Sequence, residues 1–125
     1  MSTILLIEDE VDLREFYREF LQASGFSVLE AIDGEEGLKK ALNSGWDLML
    51  LDIMLPRLDG IEVLKRVKAN SSVQSKPVIL LTNLDKDEIV QECLKVGAES
   101  YLVKSNITPN VLVDTINQYL NVAHD

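Results

Sequence analysis

Cysteine is all but missing from this sequence. Cys93 is the only one in 125 residues, so no internal disulfide can form, and it reads as a small buried apolar side chain. Histidine is equally scarce. His124 is the only one and lies in the C-terminal tail, where a solvated role is expected. Without a cluster of histidine and cysteine, zinc is not the expected metal. Long hydrophobic runs are also lacking: none approaches the roughly 20 residues of a membrane-spanning helix. The opening MSTILLIEDE has no basic segment and turns acidic at once, so no secretory signal is expected. Positive charge is the minority sign, with 12 Lys and Arg against 21 Asp and Glu and a net charge of −9. That balance argues against nucleic acid and anionic membranes as partners, and favours a cation or a basic protein surface. No linker, repeat or low-complexity segment interrupts the chain. One cytoplasmic domain over residues 1–125 is expected, with nothing left over for an output domain.

What is present is a regular alternation of short apolar runs and amphipathic stretches. Ile4 to Ile7 reads as a buried strand. Leu13, Phe16, Tyr17, Phe20 and Leu21 follow at helical spacing, and Gly25 ends that helix. Phe26, Val28 and Ala31 alternate like a strand. Leu38, Ala41 and Leu42 mark a second helix ending near Gly45. Asp47 to Asp52 is the third strand, with Trp46 at its start as a packing residue and a fluorescence reporter. Ile61, Leu64 and Val67 mark the third helix after Asp59-Gly60. Val78 to Thr82 is the fourth strand. Ile89, Val90, Cys93 and Leu94 mark the fourth helix, stopped by Gly97. Tyr101 to Val103 is the fifth strand. Thr108-Pro109 then caps a last helix with Leu112, Ile116, Tyr119 and Leu120. Five successive β-α units predict an α/β fold: a doubly wound parallel sheet of flavodoxin-like type, strand order 2-1-3-4-5.

In such a sheet the ligand site lies beyond the carboxyl ends of the strands, where the order reverses. The strands end in Glu8-Asp9-Glu10, Asp52, Thr82-Asn83 and Lys104-Ser105. The first and third strands flank the switch, so Asp9 and Asp52 should face one another. Three carboxylates together repel, and without a counter-ion at least one should take up a proton. A hard divalent cation relieves this, and an all-oxygen set with few protein ligands suits Mg²⁺ bound with phosphate. Acidic residues at a helix start are ordinary, because the helix dipole favours them. That does not account for Asp52, set between Leu51 and Ile53 on a central strand. A carboxylate, a metal and a lysine make a phosphoryl-transfer site: Asp52 as nucleophile, Lys104 neutralising phosphoryl oxygens, the Thr82 hydroxyl donating to another.

These residues, in this order, resemble the receiver domains of two-component response regulators over essentially the whole chain. The matching pieces are Ile7-Glu8-Asp9-Glu10, Leu51 to Pro56 with Asp59-Gly60, Leu81-Thr82, and Gly97-Ala98 leading to Tyr101-Leu102-Val103-Lys104. The resemblance implies that Asp52 takes a phosphoryl group from a sensor histidine kinase or a phosphotransfer protein. It implies a Mg²⁺ (or Mn²⁺) site made by Asp9, by Asp52, by Glu8 through water, and by the backbone carbonyl of Met54. It implies that Thr82 and Lys104 hold phosphoryl oxygens and that Thr82 and Tyr101 form a switch. That switch alters the face of the fourth helix, fifth strand and fifth helix, where a downstream target or a second receiver binds. Such a domain is not an enzyme for a separate substrate. It catalyses only its own Mg²⁺-dependent phosphorylation and dephosphorylation.

The sequence departs from the family pattern at Ser105, where the family has a proline joined through a cis bond. A cis bond before a non-proline residue costs about 3–4 kcal/mol, against about 0.5–1 before proline, so a trans Lys104–Ser105 bond is expected. Met54, Asn83 and Leu84 stand where they modulate access to Asp52, and neither Met54 nor Leu84 can hydrogen-bond an attacking water. A long-lived aspartyl phosphate is expected for that reason. Three other readings compete. A dehalogenase-type phosphatase needs a second Asp at the position of Met54. A flavodoxin-like carrier needs a Ser-, Thr- or Gly-rich loop where Glu8-Asp9-Glu10 stands. The third is a receiver-like interaction module with impaired phosphorylation, for which Ser105 speaks and the intact Asp9, Asp52, Thr82 and Lys104 speak against.

Overall fold

A computed structural model of the chain describes residues 2–43, 45–83 and 88–124, with side chains to residue 120. The elements alternate strictly: β1 (Thr3–Ile7), α1 (Val11–Ala23), β2 (Ser27–Ala31), α2 (Gly34–Leu42), β3 (Leu48–Asp52), α3 (Gly60–Lys68), β4 (Val78–Thr82), α4 (Glu88–Val96), β5 (Ser100–Val103) and α5 (Pro109–His124). The strands form one parallel sheet in the order β2-β1-β3-β4-β5. Ile7 stands opposite Leu51, Asp52 opposite Leu81, and Thr82 opposite Val103. That register brings the carboxyl ends of β1, β3, β4 and β5 to one rim.

The strand sequences are apolar throughout because both faces of the sheet are covered. Alternate residues serve opposite layers. Leu5, Ile7, Met49, Leu51, Val78 and Leu80 pack beneath α2, α3 and α4. Ile4, Leu6, Leu48, Leu50, Ile79 and Leu81 pack beneath α1 and α5. Cys93 is wholly buried in the first layer, as its solitary apolar setting suggested, and burial pushes its thiol up to about 11.

Helix ends follow their local chemistry. Asp33 and Asp59 cap α2 and α3 by accepting from the amides of Glu36 and Glu62 at 2.8 and 3.1 Å. Thr108 Oγ1 accepts from Val111 at 3.3 Å at the start of α5. Gly25 and Gly97 adopt φ of 96° and 135°, which explains why each follows the end of a helix.

Several boundaries differ from expectation. The third strand starts at Leu48 rather than Asp47, because the Asp47 carboxylate turns aside to accept from the Thr3 amide at 2.7 Å. Trp46 therefore precedes the strand. It is buried, its indole nitrogen donates to the Ala41 carbonyl at 2.8 Å, and the Lys76 ammonium lies 5.3 Å from its ring centre. Phe16, on the apolar stripe of α1, is 47% exposed, and its ring lies tilted against those of Tyr17 and Phe20 with centres 5.9 Å apart. A 3-10 turn at Lys104–Asn106 follows β5 and has no signature in the sequence.

At the rim opposite the acidic one, Lys76 Nζ donates to the Trp46 carbonyl at 2.6 Å, and a second ammonium makes a wider tie. Lys68 Nζ donates to the carbonyls of Gln74 and Lys76 at 3.2 and 3.1 Å and meets Glu99 Oε1 at 3.2 Å. Glu99 Oε1 in turn accepts from the Val78 amide at 2.8 Å, so α3 and the entries to β4 and β5 share one knot.

Candidate functional site

Asp52 is the last residue of β3 and is 3% exposed. Ile7, beside Leu51, leads directly into Glu8 and Asp9. The carboxylates of Glu8, Asp9 and Asp52 thereby converge, with one oxygen of each within 4.8 Å of the others. Glu8 is wholly buried, while Asp9 opens to solvent. Two short turns fix the acids. The Met54 amide donates to Asp52 Oδ1 at 3.1 Å, and the Glu10 amide donates to Glu8 Oε2 at 3.2 Å.

Lys104 enters this cluster from the residue just past β5. Its ammonium lies 3.1 Å from Asp52 Oδ2, 2.7 Å from Glu8 Oε1 and 3.9 Å from Glu10 Oε1. The contact to Glu8 is the shortest. Glu8 Oε1 is a buried acceptor in a charge contact without a directed hydrogen bond. Such an oxygen, beside two further carboxylates, is suited to a hard cation.

The electrostatics agree with that fit. Burial raises Glu8 to about 7, against the lowering pull of Lys104, and Asp52 adds to the rise. Burial also raises Asp52 above the usual carboxylate range, while Glu8 and Lys104 draw it back. Both carboxyls are thus held above the usual range, as expected for crowded buried acids without a divalent cation. Burial works against the charge of Lys104, but Glu8 and Asp52 outweigh it and its pKa lies above the ordinary value. Tyr17, under α1, is pushed up by burial and feels the charges of Lys104 and Glu8.

The remaining expected residues fall around this centre. Thr82 is buried at the end of β4, one residue past the partner of Asp52. Tyr101 is half-buried on β5 and packs in the layer beneath α3 and α4. It pairs with Leu80, two residues before Thr82, so Thr82 and Tyr101 lie on one face of the sheet as diagonal neighbours. Met54 is 69% exposed, and Asn83 is exposed just past β4. Leu84 lies outside the described residues. Ser105 is exposed in the 3-10 turn, and since the described residues contain no cis peptide bond, Lys104–Ser105 is trans.

The loop after Asp52 is held by close backbone approaches that the sequence does not announce. The Gly60 amide donates to the Ile53 carbonyl at 2.9 Å, and a Cβ on Gly60 would fall 2.4 Å from the Asp52 carbonyl oxygen. A Cβ on Gly34 would strike the Leu58 carbonyl at 1.6 Å. Arg57, at φ 70°, places its guanidinium 3.6 Å from Asp33 on the same seam. Sequence reasoning also missed Arg14. Its position on the face of Tyr17 and Leu21 was the available signal that this charge is not simply solvated.

A parallel sheet whose switch point gathers three acids and a lysine defines an α/β module with an acidic rim that could hold a metal ion. The sequence matches the family of response regulator receiver domains over residues 4–117, and the chain belongs to that family. Among curated proteins it is 37% identical over 115 residues to a gliding motility regulatory protein of Myxococcus xanthus, covering 92% of this chain and 15% of that one. The chain spans between 15% and 46% of the length of the curated relatives it matches. Among solved structures, the chemotaxis response regulator CheY4 of Vibrio cholerae superposes with a TM-score of 0.88. The two are 32% identical, and the match covers 95% of this chain and 98% of that one. The receiver domain of sensor histidine kinase PA1611 from Pseudomonas aeruginosa has a TM-score of 0.89 at 26% identity, covering 96% and 98% of the two chains. That structure has a magnesium ion coordinated in its active-site cleft.

Proposed function

We propose that this receiver domain is a phosphoacceptor in which Asp52 takes a phosphoryl group from a sensor histidine kinase or a phosphotransfer protein. The observation that supports the reading most is the position of Asp52, buried at the sheet's switch point with the Lys104 ammonium 3.1 Å from Oδ2. Asp52 attacks phosphorus, an O–P bond forms, and the P–N bond to the donor imidazole breaks. Lys104 neutralises charge on the phosphoryl oxygens, and the Thr82 hydroxyl donates to one of them. Glu8, Asp9, Asp52 and the Met54 carbonyl would hold Mg²⁺ (or Mn²⁺), which when bound supplies further neutralisation of that charge.

The Lys104 ammonium is shared with Glu8 in the resting site, so a phosphoryl group on Asp52 competes for it. Movement of Thr82 toward the new group vacates space on the face it shares with Tyr101, and the aromatic ring follows. The surface of α4, β5 and α5 then presents itself to a downstream protein or a second receiver. We assign the protein to the cytoplasm, with no separate substrate of its own. Incubation with Mg²⁺ and acetyl phosphate, followed by intact mass, tests the reading. One added phosphoryl group, lost in Asp52→Asn, is expected; an unchanged mass would leave an inert interaction module instead.

A further inference from the structure

The acids of the site sit on a loop that begins α1, and α1 begins without a side-chain cap. Glu10 occupies the N-cap position but makes no capping hydrogen bond through its side chain. Two other hydrogen bonds fix the Glu8 backbone ahead of Asp9. On one side the Glu8 amide donates to the Ala31 carbonyl of β2 at 3.1 Å. On the other, Arg14 reaches back from α1, and its Nη1 donates to the Glu8 carbonyl at 2.9 Å. The same guanidinium places Nε 3.3 Å from Glu30 Oε1, next to Ala31 on β2. Glu30 is itself braced by Arg18 at 3.3 Å and by the Lys40 ammonium on its backbone carbonyl. The Arg14 side chain is only 14% exposed, so it is committed to these contacts.

We propose that Arg14 is a positioning residue for the cation site: by clamping the Glu8 carbonyl to β2 it holds Asp9 in register with Asp52. The inference rests on the cation-binding reading of Glu8, Asp9 and Asp52 given above. Electrostatics supplies a sharp discrimination. A guanidinium near a cation site repels the cation, so by charge alone its removal would tighten metal binding. Positioning demands the opposite sign, because a loosened Glu8–Asp9 peptide lets the exposed Asp9 carboxylate wander from its partners.

The test is Mn²⁺ affinity of the full chain, read from the electron paramagnetic resonance of free Mn²⁺ at a temperature where circular dichroism reports folded protein. Arg14→Met is expected to bind about tenfold more weakly than wild type. Arg14→Lys, which keeps the charge and one donor but cannot bridge carbonyl and carboxylate, should fall between them. Lys68→Met breaks the knot at the opposite rim and controls for general destabilisation; it should bind as wild type does. Wild-type or tighter binding by Arg14→Met overturns the proposal, as does an equal loss in Lys68→Met. If Arg14→Met does not fold, Arg14→Lys decides: weaker binding supports positioning, and wild-type affinity refutes it. No Mn²⁺ binding by wild type removes the cation reading and this inference with it, whereas wild-type binding with an indifferent Arg14 removes this inference alone.

Discussion

Glu8 offers a prediction that can be worked through with its sign. Its carboxyl is wholly buried and raised to about 7 from an ordinary 4.5, mainly by burial. Between those two values the folded protein holds a proton that the unfolded chain has released. Folding stability therefore falls as pH rises through that window, by roughly 1 kcal/mol per pH unit at most. The stabilisation is complete below about 4.5 and gone above about 7. Asp52 is raised as well and contributes with the same sign. Lys104 lies above its ordinary 10.5 and stays charged throughout, so it adds no slope. The perturbation is Glu8→Gln, which removes the titration and keeps the shape. With the metal chelated, urea midpoints at pH 5 to 7.5 should decline for wild type and stay flatter for the variant. The variant should be the more stable at the upper end, by on the order of 3 kcal/mol, because it carries no buried charge there. Saturating Mg²⁺ should flatten the wild-type profile, since a cation replaces the proton. Parallel profiles for wild type and Glu8→Gln would refute a Glu8 carboxyl raised by burial.

Other expectations concern the loop, the lifetime and the indole. Gly60→Ala puts a Cβ 2.4 Å from the Asp52 carbonyl oxygen, so the backbone must shift; a loss of about 1–3 kcal/mol in urea unfolding, with slower phosphorylation by acetyl phosphate, is expected. A wild-type rate would mean that Asp52 tolerates the displaced loop. The aspartyl phosphate should persist well beyond seconds in Mg²⁺ without a phosphatase, because the exposed Met54 side chain cannot orient water; decay within seconds, followed by intact mass, would sink that expectation. Trp46 sits before β3, at the end of the strand away from Asp52. Its fluorescence should ignore Mg²⁺ and change only on unfolding, and a clear Mg²⁺ response would show that the two rims are coupled.

The layout of the sheet was legible because its strands are short, apolar and separated by helices of clear period. Asp52 was legible for a related reason: a charge amid Leu51 and Ile53 has no place in a core, so it must mark the strand's end. Less could be read where tertiary geometry decides. The sequence pairs Lys104 with a phosphoryl site, yet its nearest carboxylate is Glu8 at 2.7 Å, a contact set by the 3-10 turn after β5. Arg14 shares the face of Tyr17 and Leu21, but its partner is visible only once β2 brings Glu30 beside it. Gly34 and Gly60 look like loop punctuation until the folded chain lays backbone against them. Phe16 keeps the helical period of the core but lies at its margin, since α1 covers a sheet whose outer strand, β2, is an edge.

The knot around Lys68 has a mechanical consequence. A hand fan riveted at its base moves at its tips. At the base of this sheet one ammonium fastens α3 to the entries of β4 and β5 through two carbonyls and a carboxylate. At the tips, a second ammonium joins the strand ends bearing Glu8, Asp52 and Lys104, through a hydrogen bond to Asp52 Oδ2 at 3.1 Å and a charge contact to Glu8 Oε1 at 2.7 Å. The base ammonium grips backbone carbonyls, whereas the ammonium at the tips grips carboxylates, which share it with any new charge that arrives. A charge arriving at Asp52 therefore redraws the contacts of Lys104 first, while the riveted base keeps the frame.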